Sequence, residues 1–140
     1  LYNSVELSEH GPSMESVERN KHLIRHLKIQ SCAYENLSPT STRVEVVSSI
    51  MANWNLTILD LESNSIGDSG AQALSEALKT NSTLTTLNLA SNLIESNGAQ
   101  ALSEALKINS TLTTLDLQYN SISETFTTNL NLMISSSLFS

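Results

Sequence analysis

An α/β solenoid is predicted, a short horseshoe with a parallel sheet on its concave face and helices on its convex face, and three observations predict it. The first is repetition. Residues 70–89 read GAQALSEALKTNSTLTTLNL and residues 98–117 read GAQALSEALKINSTLTTLDL, 28 residues further on and different at two positions. A period of about 20–50 residues marks a stack of small structural units that bury their apolar faces only against one another. The second is alternation of Leu with polar residues in one half of each unit, as in a strand with one face buried. The third is an apolar stripe of helical spacing in the other half.

The strand half is taken first. Leu56-Thr57-Ile58-Leu59-Asp60-Leu61-Glu62-Ser63-Asn64 aligns with Leu84 to Asn92 and Leu112 to Asn120, each reading LxxLxLxxN. Ile66, Ile94 and Ile122 follow two positions on. Asn64, Asn92 and Asn120 stand where the chain leaves the strand. Their amides both donate and accept, so they are expected to form a structural ladder that satisfies buried backbone groups. Ile24 to Cys32 fits the same pattern, with Cys32 in the Asn position and so in a structural role. From Ile24 to Leu56 is 32 residues, which places about four extra residues near 35–40. A helix from about Arg43 to Asn53 is expected to bury Val44, Val47, Ile50 and Met51.

The helical half begins with Ser69-Gly70-Ala71-Gln72, which has the form of a capping box, and Asn97 is the corresponding cap in the next copy. Ala73, Leu74, Ala77 and Leu78 are expected to face the sheet. Glu76 with Lys79 and Glu104 with Lys107 stand at i,i+3 and contribute about 0.2–0.5 kcal/mol each. A helix of about ten residues does not hold alone in water. Each unit therefore depends on its neighbours.

Together these motifs resemble the leucine-rich repeat. The 28-residue period and the G-A-x-A-L-x-x-A-L half resemble its ribonuclease-inhibitor-like class, over about residues 23–125. The resemblance implies a noncatalytic protein-protein interaction module, since innate-sensor receptors of the NOD-like type, enzyme inhibitors, GTPase activators and actin-capping proteins carry similar repeats. Leu1-Tyr2-Asn3-Ser4-Val5-Glu6-Leu7, followed by Asn20 to Ile29, resembles the junction after an F-box. That implies the target-recognition part of an F-box-type subunit of a cullin ubiquitin ligase.

Around the repeats, residues 1–22 have no period and are expected to be irregular, a linker from an upstream domain that the Leu1 start suggests. Residues 126–140 are expected to be a degraded repeat or a C-terminal tail. Phe126 stands where the other copies have Gly, although Leu130, Met133 and Ile134 keep helix-facing positions.

Charge and composition narrow the function. Net charge is −7, and residues 56–140 hold eight Asp/Glu against two Lys/Arg. Such a surface repels phosphate backbones, so no nucleic acid is expected as partner. No apolar run approaches the roughly 18 residues a membrane span needs, so no membrane partner is expected either. The single Cys32 excludes an internal disulfide and fits a reducing compartment, the cytoplasm or nucleus. His22, His26 and Cys32 invite a metal reading. On a strand, however, i and i+4 are about 13 Å apart at roughly 3.3 Å per residue, and no fourth ligand is at hand. No catalytic constellation, metal or cofactor is expected. Asn36, Asn55, Asn81 and Asn109 match the N-x-[ST] glycosylation pattern. They read as turn residues.

What remains is the inner face. Side chains between the strand leucines should form rows across the sheet: His26/Ile58/Thr86/Thr114, Lys28/Asp60/Asn88/Asp116, Gln30/Glu62/Ala90/Gln118 and Ser31/Ser63/Ser91/Tyr119. A protein partner is expected to bind there through Ile58, Asp60, Glu62, Thr86, Asn88, Thr114, Asp116, Gln118 and Tyr119, with Ile58 and Tyr119 as anchors.

Overall fold

The computed structural model describes residues 3–30 and 43–137. Its elements run β1 (Ser4–Leu7), α1 (Met14–Arg19), β2 (His26–Ile29), α2 (Arg43–Asn53), β3 (Ile58–Asp60), α3 (Gly67–Thr80), β4 (Thr86–Asn88), α4 (Ser96–Leu106), β5 (Thr114–Asp116) and α5 (Glu124–Ser137). The strands form one sheet in chain order, β1-β2-β3-β4-β5, and every pairing is parallel. Each crossover returns to the same side, so helices line up behind the sheet as the 28-residue period requires.

Alternation places the core. Val5, Leu27, Leu59, Leu87 and Leu115 occupy one register line across all five strands. Leu27, Leu59 and Leu87 are completely buried. Leu61, Leu89 and Leu117 extend the core past the strand ends, and Ile66 and Ile94 close it where the helices begin. From the helix side come Ala71, Leu74, Leu78, Leu102 and Ala105. Just before each strand a threonine ladder adds support. Thr57 Oγ1 donates to the Arg25 carbonyl (3.1 Å), Thr85 Oγ1 to Thr57 (3.0 Å) and Thr113 Oγ1 to Thr85 (3.1 Å).

The Asn ladder expected from the sequence is present. Asn92 Oδ1 accepts from the backbone of Asn64 (2.9 Å) and Ile66 (3.2 Å), and its Nδ2 donates to Leu61 (2.8 Å) and Ala90 (3.0 Å). Asn120 repeats this one unit later, accepting from Asn92 and Ile94 and donating to Leu89 and Leu117. Asn64 donates to Ile29 and Glu62. Asn81 and Asn109 form a second ladder on the other rim. Asn109 Nδ2 donates to Leu78 and Asn81, while its Oδ1 holds the backbone of Thr111 and Leu112. Their side-chain amides are thus engaged as turn residues.

Three expectations are corrected. The segment expected to be irregular, residues 1–22, is ordered where it is described: Ser4-Val5-Glu6-Leu7 is a strand paired in register with β2, and Ser13 Oγ caps α1 by accepting from the Ser16 backbone (3.3 Å). Leu7 and Val17 are buried. Ser4 pairs with His26, 22 residues on, so this unit escapes a search at a spacing of 28. The capping box is also absent. Gly67, at φ 66°, turns the chain so that α3 starts there, which leaves Ser69 inside the helix. Asn97 likewise lies inside α4. The cap comes from the preceding repeat, where Asp68 Oδ1 accepts from the backbone of Glu95 (2.7 Å) and Gly98 (3.0 Å).

The sheet-facing stripe of α3 is Gly70, Ala71, Leu74, Ser75 and Leu78. Ala73 and Ala77 sit at its edge, half-buried, as do Val44 in α2 and Met133 in α5. Val47, Ile50, Met51, Leu130 and Ile134 are buried as expected. The C-terminal stretch is helical through Ser137. Cys32 and the extra residues near 35–40 lie outside the described residues.

Close helix packing depends on Gly98. A Cβ there would stand 2.6 Å from Asp68 Oδ1, 2.9 Å from Ile94 Cγ2 and 3.0 Å from Ala71 Cβ. An Ala in a helix normally stabilises by about 1 kcal/mol relative to Gly. Here Gly98→Ala is expected to destabilise by about 1–3 kcal/mol through overpacking and a displaced cap. A urea midpoint above the wild type would contradict that packing. At the equivalent position of the last unit stands Phe126, and α5 touches α4 less extensively than α4 touches α3.

Candidate protein-binding face

The strands place the predicted residues in straight rows. Ile58 pairs with Thr86 and Thr86 with Thr114, while Asp60 pairs with Asn88 and Asn88 with Asp116. His26 and Lys28 stand at the other end, opposite Ile58 and Asp60. β1 lengthens both rows by one place, with Ser4 beside His26 and Glu6 beside Lys28. Glu6 and Gln30 are signals that the expected rows undervalued. Gln30 Nε2 donates to Glu6 Oε1, and the Lys28 ammonium lies 3.9 Å from the same carboxylate.

Beyond the strands the third row breaks. Glu62 and Gln118 are exposed, but Ala90 between them is buried. Ser31 lies outside the described residues. Tyr119 is 81% exposed at the rim.

Three of the predicted contact residues also hold the backbone. Asp60 Oδ1 accepts from Glu62 N (3.0 Å), Asn88 Oδ1 from Ala90 N (3.0 Å) and Asp116 Oδ1 from Gln118 N (2.9 Å). Each is an Asx turn. Their recurrence as Asp, Asn, Asp at one position was the available signal, because all three side chains offer an acceptor at the same place. One oxygen of each is therefore committed to the turn that aims residues 62, 90 and 118.

The electrostatics are one-sided. In the last three repeats the two cations are taken up on the helices, Lys79 with Glu76 (2.7 Å) and Lys107 with Glu104 (2.9 Å). The Lys107 ammonium, hydrogen-bonded to Glu104, holds that carboxyl below its ordinary value. Asp60, Glu62 and Asp116 make no ion pair among the described residues. Among the described residues no group of three or more His, Cys, Asp or Glu stands together as a metal site would require, and no helix is long and apolar enough to cross a membrane. His22 is exposed and His26 half-buried.

Comparison with known proteins agrees with this architecture. Residues 52–75, 80–103 and 109–124 match the family model described as Leucine Rich repeat. No curated protein matches the chain. Among solved structures the chain is similar to "Leiomodin-1 Actin-Binding Site 2 (ABS2)", at 22% identity and a TM-score of 0.60, over 92% of this chain and 94% of that one. At that identity the likeness speaks for the fold. The chain is a short solenoid of leucine-rich repeats.

Proposed function

We propose that this chain is a noncatalytic protein-binding module of the ribonuclease-inhibitor-like class, acting in the cytoplasm, whose inner face takes a protein partner. The row geometry supports this reading. Parallel strands lie about 4.8 Å apart, so an extended partner crossing the sheet meets one side chain per strand. Glu6, Lys28, Asp60, Asn88 and Asp116 are held in such a line by the pairing register. The unpaired acids steer a partner with a basic surface toward this face. The reading requires no cofactor, metal, nucleic acid or membrane.

The test is affinity capture from extract of the cells that express the protein, comparing wild type with a variant carrying Asp60→Asn, Glu62→Gln, Asp116→Asn and Tyr119→Ser. Asn keeps the oxygen that binds the turn, as Asn88 does naturally, so charge is removed without unfolding the repeat. Loss of one protein from the variant alone is expected. Identical captures would refute binding through this face.

β1 favours a second, narrower reading, in which the chain is the target reader of an F-box-type ligase subunit. Within the stretch that resembles the junction after an F-box, Ser4–Leu7 is a strand of the sheet, so an F-box domain would sit close to the first repeat. A cullin adaptor captured by both proteins would support it. Actin is to be scored in the same captures, because the similar solved structure is named for an actin-binding site. A GTPase activator or an innate-sensor receptor would instead bring its own partner class.

A further inference from the structure

Among the described residues, five other than Gly hold a left-handed backbone: Ser63 (φ 58°), Ser65 (52°), Ser91 (55°), Leu93 (61°) and Tyr119 (58°). All lie where the chain leaves a strand, on one rim of the solenoid. Ser tolerates this conformation more readily than Leu or Tyr, whose bulk makes a positive φ a true outlier. Leu93 and Tyr119 stand where other repeats carry Ser65 and Ser91. Neither side chain is buried in recompense, at 69% and 81% exposed. Strain held without a packing return points to use by a partner.

The two are neighbours. Ser91 N donates to the Gln118 carbonyl (2.9 Å), Asn92 N to Asn120 Oδ1 (2.9 Å) and Ser121 N to the Ile94 carbonyl (2.9 Å). Segment 91–94 therefore runs beside 118–121. In the last three repeats the charges on this rim are of one sign. Glu62 follows a strand on this rim, and Asp68, Glu95 and Glu124 sit where helices begin. Lys79 and Lys107 lie at the opposite ends of α3 and α4.

We propose that this rim is a docking surface anchored by Leu93 and Tyr119, and that its occupant is a basic segment of a partner protein with apolar side chains set among Lys or Arg. The proposal rests on the protein-binding reading and moves its energetic centre from the inner face to the rim. The same acids turn away an anionic lipid surface and a nucleic-acid backbone.

A library of random peptides displayed on phage, sorted on the full chain, tests this. Wild type is expected to enrich peptides with one or two large apolar residues flanked by Lys or Arg, and their binding should weaken as salt rises. The variant Leu93→Ser/Tyr119→Ser carries the residues found in sibling repeats and is expected to bind them at least about ten-fold more weakly. Its urea midpoint should equal or exceed the wild type. A lower midpoint would assign both side chains to the fold and overturn the proposal. So would unchanged binding, enrichment of acidic or uncharged peptides, or no enrichment. Thr86→Arg blocks the middle of the inner face and leaves the rim intact. Peptides lost with that variant but indifferent to Leu93→Ser/Tyr119→Ser would overturn the rim and keep the inner-face reading.

Discussion

Replacing Asn92 with Ala is expected to cost about 2–6 kcal/mol, which is one to three for each of two backbone donors left buried without a partner. The donors are the N–H groups of Asn64 and Ile66, which point at Asn92 Oδ1 at 2.9 and 3.2 Å. The Leu61 carbonyl loses the Nδ2 donor as well. The Ala90 carbonyl is spared, because Ser63 N also donates to it (3.0 Å). Asn92 is fully buried, so water cannot take its place without opening the turn. Small domains have only about 5–15 kcal/mol in hand, so the variant should be largely unfolded in mild urea, by far-ultraviolet circular dichroism. Asn120→Ala should cost distinctly less, since Asn120 is only half-buried at the last turn and water can enter where its amide stood. Equal losses at the two positions would mean that the ladder does not act through burial.

That contrast shows what was legible in the sequence. LxxLxLxxN states an inward face, an exit and an amide at that exit, and all three are local. The register therefore emerged correctly from Leu27 to Leu115. The features that escaped are those whose cause lies in another repeat. Asp68 looks like a surface acid within its own helix, and only the neighbouring turn reveals it as the cap of α4. β1 was hidden by its 22-residue spacing, although Val5 and Leu7 alternate as plainly as any other strand. The dual use of Asp60 and Asp116 was masked by their charge, which suggests a partner before it suggests a turn. In the sequence alone Leu93 is one more apolar residue. Only its positive φ and exposure separate it from the core.

Leu87→Ala is the second large effect, expected to cost about 2–5 kcal/mol. Leu87 sits inside the central register line, one strand from its end, fully buried between Leu59 and Leu115. Its removal opens a hole lined from both sides by strands that pairing holds in place, so little can collapse into it. A solenoid has no core beyond its stacked layers, and each layer is stabilised only by its neighbours. Damage inside the stack therefore uncouples the units on either side, whereas damage at the end loosens one. Leu115→Ala is the matching end variant. Leu115 is slightly open to solvent, and the helix behind it, α5, packs less extensively than α3 and α4 do on each other. Its loss should be about half that of Leu87, leaving a cooperative transition, while Leu87→Ala should broaden or abolish it. If both variants lost the same stability with equally sharp transitions, the chain would be folding as one indivisible unit, and nearest-neighbour coupling would be the wrong description of it.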